Sequence, residues 1–216
     1  MPEEPADVEI PYLRDEEFRQ RADAFLRQTH PTKTIPVPIE RMVERLGIDI
    51  VPIPGLQRSY DLVGAISIDR TRIFVDQWVA ESRENRYRFT LAHEIGHLIL
   101  HPQVFDHMRS SVSDIEAWYE FPQALSEVTY RSLEFQANTF AGLVLVPLAH
   151  LAEQYEANVE GVKLLLDESE RRGFPKTQAL ELAWDTLAER IALAFLVSKD
   201  VILKRLGSDG YSPAHL

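Results

Sequence analysis

Two histidines four residues apart enclose a glutamate in His93-Glu94-Ile95-Gly96-His97, a grouping able to bind a metal ion and move a proton. On an α-helix, positions i and i+4 project from one face about one turn apart. Two imidazole nitrogens held there can reach a single zinc ion at about 2.0–2.1 Å each. Glu94 lies about 100° further round the helix, so it borders such an ion without being forced to ligate it. From that position a carboxylate can take a proton from an attacking water. The pattern H-E-x-x-H thus supplies two ligands and a general base within one short stretch. The alternative is a helix that happens to carry surface histidines. Gly96 weighs against it, because glycine inside a helix costs about 1 kcal/mol relative to alanine, which implies a neighbour that needs the space.

A catalytic zinc takes three protein ligands and keeps one position open. The chain has no cysteine, so histidine and carboxylate must provide all three. His101 continues the i+4 series, but three successive positions on one straight helix cannot surround one ion. Leu100 and Gln103 stand where the metzincin motif has glycine and histidine, which excludes that arrangement. The third ligand is therefore expected on a later helix, among Glu116, Glu120, Glu127 and Glu134. Glu134 fits best on local grounds: Ala137, Asn138 and Ala141 share its face, and small residues would let this helix approach the first one opposite Gly96. Tyr130, one turn before Glu134, offers a phenol able to stabilise an oxyanion. His101 and His107 compete for that role.

Several elements must position these residues. Glu84 to Leu100 reads as the helix carrying the histidines, closed by Pro102, and Leu125 to Leu145 as the helix carrying Glu134. Earlier helices are predicted over Asp15 to Gln28 and from Ile39 to Leu46, the second capped by Gly47. Ile48 to Ile53 reads as a short strand. Leu62 to Ile68 and Arg72 to Asp76 read as a hairpin turning at Asp69-Arg70-Thr71. Residues 103 to 123 are expected to form a loop with one short helix. Further helices follow to Gly173 and from Pro175 to Leu206, with a capping box at Thr186 and Glu189 and a final cap at Ser198. The tail from Ser208 reads as frayed. The fold class is α+β, a small early sheet followed by helices. Its expected organisation is a domain at 1–147, a helical region at 148–207 and a flexible tail at 208–216.

Composition bounds the setting. The 216 residues, 45% hydrophobic and 26% charged, suit one compact domain or one domain with a small appendage. A formal net charge of −11 argues against broad nucleic-acid binding and against docking on anionic membranes. The start, Met1-Pro2-Glu3-Glu4-Pro5, lacks the basic and apolar runs of a secretory signal. No apolar run approaches the length of a membrane span. The expectation is a cytoplasmic protein.

The run Arg88-Phe89-Thr90-Leu91-Ala92-His93-Glu94-Ile95-Gly96-His97-Leu98-Ile99-Leu100-His101 closely resembles the core of the ImmA/IrrE metallopeptidase family. Glu134, Ala137, Asn138, Phe140, Ala141, Leu145 and Pro147 resemble its second motif. The resemblance implies a zincin-like fold with a small twisted antiparallel or mixed sheet, and Glu134 as third zinc ligand beside His93 and His97. It further implies a zinc-dependent endopeptidase with Glu94 as base, Mn2+ being an alternative occupant in the cell. The implied substrate is a helix-turn-helix transcriptional repressor, cut in a stress-response or mobile-element circuit. An extended interdomain segment of that repressor would pair with the strand Leu62 to Ile68, using Gly64 for close approach and the Ser67 N–H as a donor. Two departures from the family pattern are Val146, where methionine is commoner, and a long loop between the motifs. Leu187 to Leu206 has the outline of a helix-turn-helix, but its slight basicity favours packing or substrate recognition over DNA reading. The rival readings are a DNA- or protein-binding regulator with a structural metal site, and a metallohydrolase acting on a non-peptide bond.

Overall fold

The computed structural model describes residues 9–108, 115, 118–121 and 125–216, with 107 and 108 described by backbone alone. Glu116, the His107 side chain and about half of the expected loop, residues 109–114, 116, 117, 122 and 123, fall outside the described residues. The chain divides into two compact units, one of residues 1–32 and 38–144 and the other of 33–37 and 145–216.

The first unit opens with α1 (Asp15–Thr29) and α2 (Ile39–Arg45). The apolar stripe of α1 sets Phe18 against Phe135 and Phe25 against Phe140, with ring centroids 6.4 and 5.8 Å apart. Gly47 follows α2 at φ 72°, the left-handed conformation that ends a helix cheaply only in glycine. The sheet holds β1 (Asp49–Ile53), β2 (Gly64–Ile66) and β3 (Arg72–Asp76) in the order β1-β3-β2. The hairpin β2–β3 is antiparallel, whereas β1 lies parallel to β3 on its other side. Ile73, Phe74 and Val75 are all buried, as a strand covered on both faces and both edges requires.

Two short helices escape the sequence reading, α3 (Leu56–Tyr60) and α4 (Gln77–Ser82). Both depend on Asp76. One carboxylate oxygen accepts the Val79 N–H and caps α4, and the other accepts the Gln57 N–H near the start of α3. The active-face helix α5 runs Glu84–Leu100, as its periodicity predicts. Pro102 does not simply close it but opens α6 (Pro102–Met108), because a proline at the first helical position loses no hydrogen bond. α7 (Glu127–Leu145) carries Glu134.

The second unit contains α8 (Leu148–Arg171), α9 (Lys176–Phe195), α10 (Lys199–Ser208) and a single 3-10 turn at Pro213–His215. The expected capping box at Thr186 and Glu189 is not formed. The apolar stripe Ala179, Ala183, Leu187 and Ile191 runs through, so the helix does not break. Thr186 instead donates its hydroxyl to the Leu182 carbonyl one turn back. Ser198 does cap α10, accepting the Val201 N–H. The residues after Ser208 are held rather than frayed: Asp209 pairs with Arg205 at 2.6 Å with both side chains buried, and Tyr211 lies on Tyr155. Among the described residues no single helix is long and apolar enough to cross a membrane.

The hairpin turn yields a test. Arg70 takes φ 63° there, and the Asp69 carboxylate accepts from the Ser67 and Thr71 hydroxyls and the Thr71 N–H. Those bonds, the Ser67 bond first, pull the Asp69 pKa down from 3.8 to about 2. A depressed carboxylate stabilises the fold above its unfolded pKa and ceases to do so as pH falls through the folded one. Discounted for its exposed position, that contribution is about 1 kcal/mol. Asp69→Asn should therefore lower the melting temperature at pH 7, and the difference from wild type should vanish between about pH 4 and pH 2.

Candidate metal centre

Three ligand atoms converge from α5 and α7. His93 Nε2 and His97 Nε2 stand 2.9 Å apart, with Glu134 Oε2 3.4 Å from the first and Glu134 Oε1 3.5 Å from the second. Ligands set tetrahedrally at about 2.0–2.1 Å from a zinc ion stand roughly 3.3–3.4 Å from one another, so the donor set fits the ion in both type and spacing. The ligand atoms of the group all lie within 4.8 Å of one another. Glu127, another sequence candidate, instead pairs with Arg131 at the exposed start of α7, and Glu120 is exposed.

The convergence depends on a close helix crossing. A Cβ added to Gly96 would sit 3.0 Å from the Ala137 carbonyl oxygen and 3.1 Å from its Cα. The small residues of α7 therefore meet the glycine of α5 backbone to backbone, and Glu134 enters one turn earlier on α7.

Charge explains what the cluster wants. Burial opposes the charged form of His93, but Glu134, Glu94 and Asn138 outweigh it and push its pKa up. Burial likewise opposes ionisation of Glu134, yet its hydrogen bonds with His93 and His97 hold it well below the carboxylate range. Two ring nitrogens facing each other at 2.9 Å leave room for one hydrogen or one ion between them, and the ionised carboxylate beside them favours positive charge there. A proton can meet that need, and a divalent cation meets it more fully.

Glu94 is 4% exposed and does not belong to the ligand cluster. Burial raises its pKa, partly offset by the two histidines, and the Ile66 N–H donates to its carboxylate. Tyr130 is partly exposed one turn from Glu134, and burial, Glu134 and Asp61 together raise its pKa. His101 is removed from the oxyanion candidates by its burial and its bonds: its Nδ1 meets His97 Nδ1 at 3.2 Å and its Nε2 meets Gln136 Oε1 at 3.2 Å. Burial first, then the neighbouring His97, pulls its pKa down to about 3, which keeps it neutral.

Other contacts lay outside the sequence reading. Asn138 Oδ1 lies 3.2 Å from His93 Nδ1. The Trp118 ring packs against His97 with centroids 5.2 Å apart, and its indole N–H donates to the Ile66 carbonyl. The i+4 spacing of Asn138 from Glu134 could have flagged the first; nothing local marks Trp118.

The strand edge also needs correction. Ser67 is fully buried and its N–H donates to the Arg72 carbonyl at 2.8 Å, so it belongs to the hairpin and cannot hold a substrate. With antiparallel alternation, the groups of β2 directed away from β3 are those of Gly64 and Ile66. A side chain at Gly64 would overlap Thr90 Cγ2 and come 3.4 Å from Glu94 Oε1. The glycine there serves the packing of β2 on α5.

Residues 43–207, which include every ligand candidate discussed above, match the family model of the IrrE N-terminal-like domain, Peptidase_M78. No curated protein matches the chain.

Gly96→Ala tests the helix crossing. Alanine gains about 1 kcal/mol of helix propensity, but its methyl would press on the Ala137 backbone, which can yield only by moving α7. Zinc affinity should fall at least about tenfold while the melting temperature of the metal-free chain changes little, as read by chelator competition and calorimetry.

Proposed function

The chain belongs to the IrrE N-terminal-like family of metallopeptidases, and from that premise we propose that it is a zinc-dependent endopeptidase with His93, His97 and Glu134 as ligands. The observation that carries this reading is the convergence of three ligand atoms beside a buried carboxylate that is not one of them. Held by His93, His97 and Glu134, a zinc ion would supply Lewis acidity towards a scissile carbonyl and an attacking water. Glu94 accepts the proton of the attacking water at a carboxylate oxygen and passes it to the leaving amine. The hydrogen bond from Ile66 holds that carboxylate in place. The Tyr130 phenol is assigned to the developing oxyanion.

The substrate is a protein segment in extended form. The outward backbone groups of Gly64 on the edge strand offer pairing, those of Ile66 being taken by Glu94 and Trp118, and side-chain pockets add selectivity. A linker can lie extended in a cleft where a folded strand cannot. Together with the family resemblance, this favours the interdomain segment of a helix-turn-helix repressor as the target. The acidic net charge favours a protein partner over DNA.

Glu94→Gln keeps the side-chain size and removes the proton acceptor. It should hold wild-type zinc yet lose about 10²–10⁴ in turnover on a peptide library, and serve as a trap for the substrate. Wild-type turnover in that variant overturns the mechanism, and a regulator with a structural metal would keep its function. Tyr130→Phe should cost about 10²–10³ in kcat with zinc retained. Glu134→Ala should lose most of its zinc in equilibrium dialysis while Glu127→Ala keeps it; the reverse result reassigns the third ligand.

A further inference from the structure

Behind His97 runs a line of buried polar groups that the proposed chemistry does not use. His97 Nδ1 meets His101 Nδ1 at 3.2 Å, His101 Nε2 meets Gln136 Oε1 at 3.2 Å, and Gln136 Nε2 donates to the Pro11 carbonyl at 2.7 Å. His97, His101 and Gln136 are 2%, 0% and 3% exposed, so water does not compete for these bonds.

The direction of every bond follows from the far end. A carbonyl oxygen only accepts, so the group of Gln136 facing Pro11 is its NH2, and the group facing His101 is its oxygen. An oxygen facing His101 Nε2 requires that nitrogen to carry hydrogen. A neutral imidazole bears one N–H, so His101 Nδ1 is a lone pair. A lone pair facing His97 Nδ1 requires hydrogen there, which leaves the His97 Nε2 lone pair directed at His93 Nε2 and Glu134, the point where the ligand atoms meet.

We propose that His101 and Gln136 are positioning residues that, anchored on the Pro11 carbonyl, lock His97 in the tautomer and ring orientation needed to ligate a divalent metal. The proposal rests on the metal reading of His93, His97 and Glu134. Neither residue touches the substrate or the ion. Their effect reaches the ion through the His97 ring, since a ligand imidazole whose other nitrogen donates to a fixed acceptor is oriented and made more basic. The Pro11 carbonyl, 125 residues from Gln136 in the chain, sets which end of that amide faces His101. His93 has a separate partner, Asn138.

Three variants of the full chain separate positioning from stability. His101→Phe keeps an aromatic ring and removes the acceptor of the His97 N–H. Gln136→Met keeps the volume and removes the group that orients His101. Gln136→Glu keeps an oxygen facing His101 but replaces the amide donor to Pro11. Zinc dissociation constants by chelator competition and melting temperatures of the metal-free chains are the readouts. His101→Phe and Gln136→Met should weaken zinc binding about 10- to 100-fold. Gln136→Glu should stay within about threefold of wild type in affinity, although it melts lower. In the zinc-loaded wild type, nitrogen NMR should show His101 with Nε2 protonated and Nδ1 unprotonated. The opposite tautomer, wild-type affinity in Gln136→Met, or affinities that merely follow melting temperature across the three variants would each overturn the proposal. Failure of the wild type itself to take up zinc overturns the metal reading and this proposal with it.

Discussion

The backbone contact between Gly96 on α5 and Ala137 on α7 is the constraint on which the centre depends. Ligand atoms that must lie about 3.4 Å apart come from two helices, and helix axes ordinarily pack 8–10 Å apart. Glutamate is long enough to span the difference only if the crossing sits at the near end of that range. A single methyl at position 96 would meet backbone, which cannot rotate away as a side chain could. Gly64 applies the same economy on the other side of α5, where β2 comes close enough for the Ile66 N–H to reach Glu94. One helix is thus approached by backbone from two sides, and its histidines and Glu94 are held from opposite directions.

Electrostatics then divides the labour between two carboxylates. Glu134 and Glu94 are both buried in large part, but Glu134 faces both histidine nitrogens and is ionised by them. Glu94 receives less compensation, and its burial dominates. One carboxylate is thereby suited to holding positive charge permanently and the other to exchanging a proton, a separation of roles set by environment.

The candidate site was legible in the sequence where the signal was local. His93, Glu94 and His97 needed only the helical period. Gly96 with Ala137 and Ala141 announced a close crossing through residue size alone, and the structure has that crossing. The hairpin, α5 and α7 were likewise visible from periodicity and turn chemistry. What escaped was nonlocal. That β1 joins β3 in parallel on the side opposite β2 is a matter of which edge is open, which no single strand encodes. α3 and α4 are short and depend on the two oxygens of one aspartate, Asp76. Thr186 and Glu189 matched a capping pattern whose meaning was overridden by the unbroken apolar stripe of α9. Ser67 was misread because the side of a strand that faces solvent depends on register, and shifting by one residue exchanges the paired and unpaired edges.

The bond from Gln136 to the carbonyl of Pro11 has a consequence for how the molecule comes into being. It joins residues 125 positions apart, and closing a loop of that length carries an entropic cost that only cooperative collapse can offset. During synthesis the chain emerges from its N-terminal end, so the histidine helix leaves the ribosome well before the segment that supplies Glu134 and Gln136. A partly made chain therefore carries the recognisable H-E-x-x-H stretch with neither Glu134 nor Gln136 beside it. The convergence of His93, His97 and Glu134 is completed late, as a property of the folded first unit.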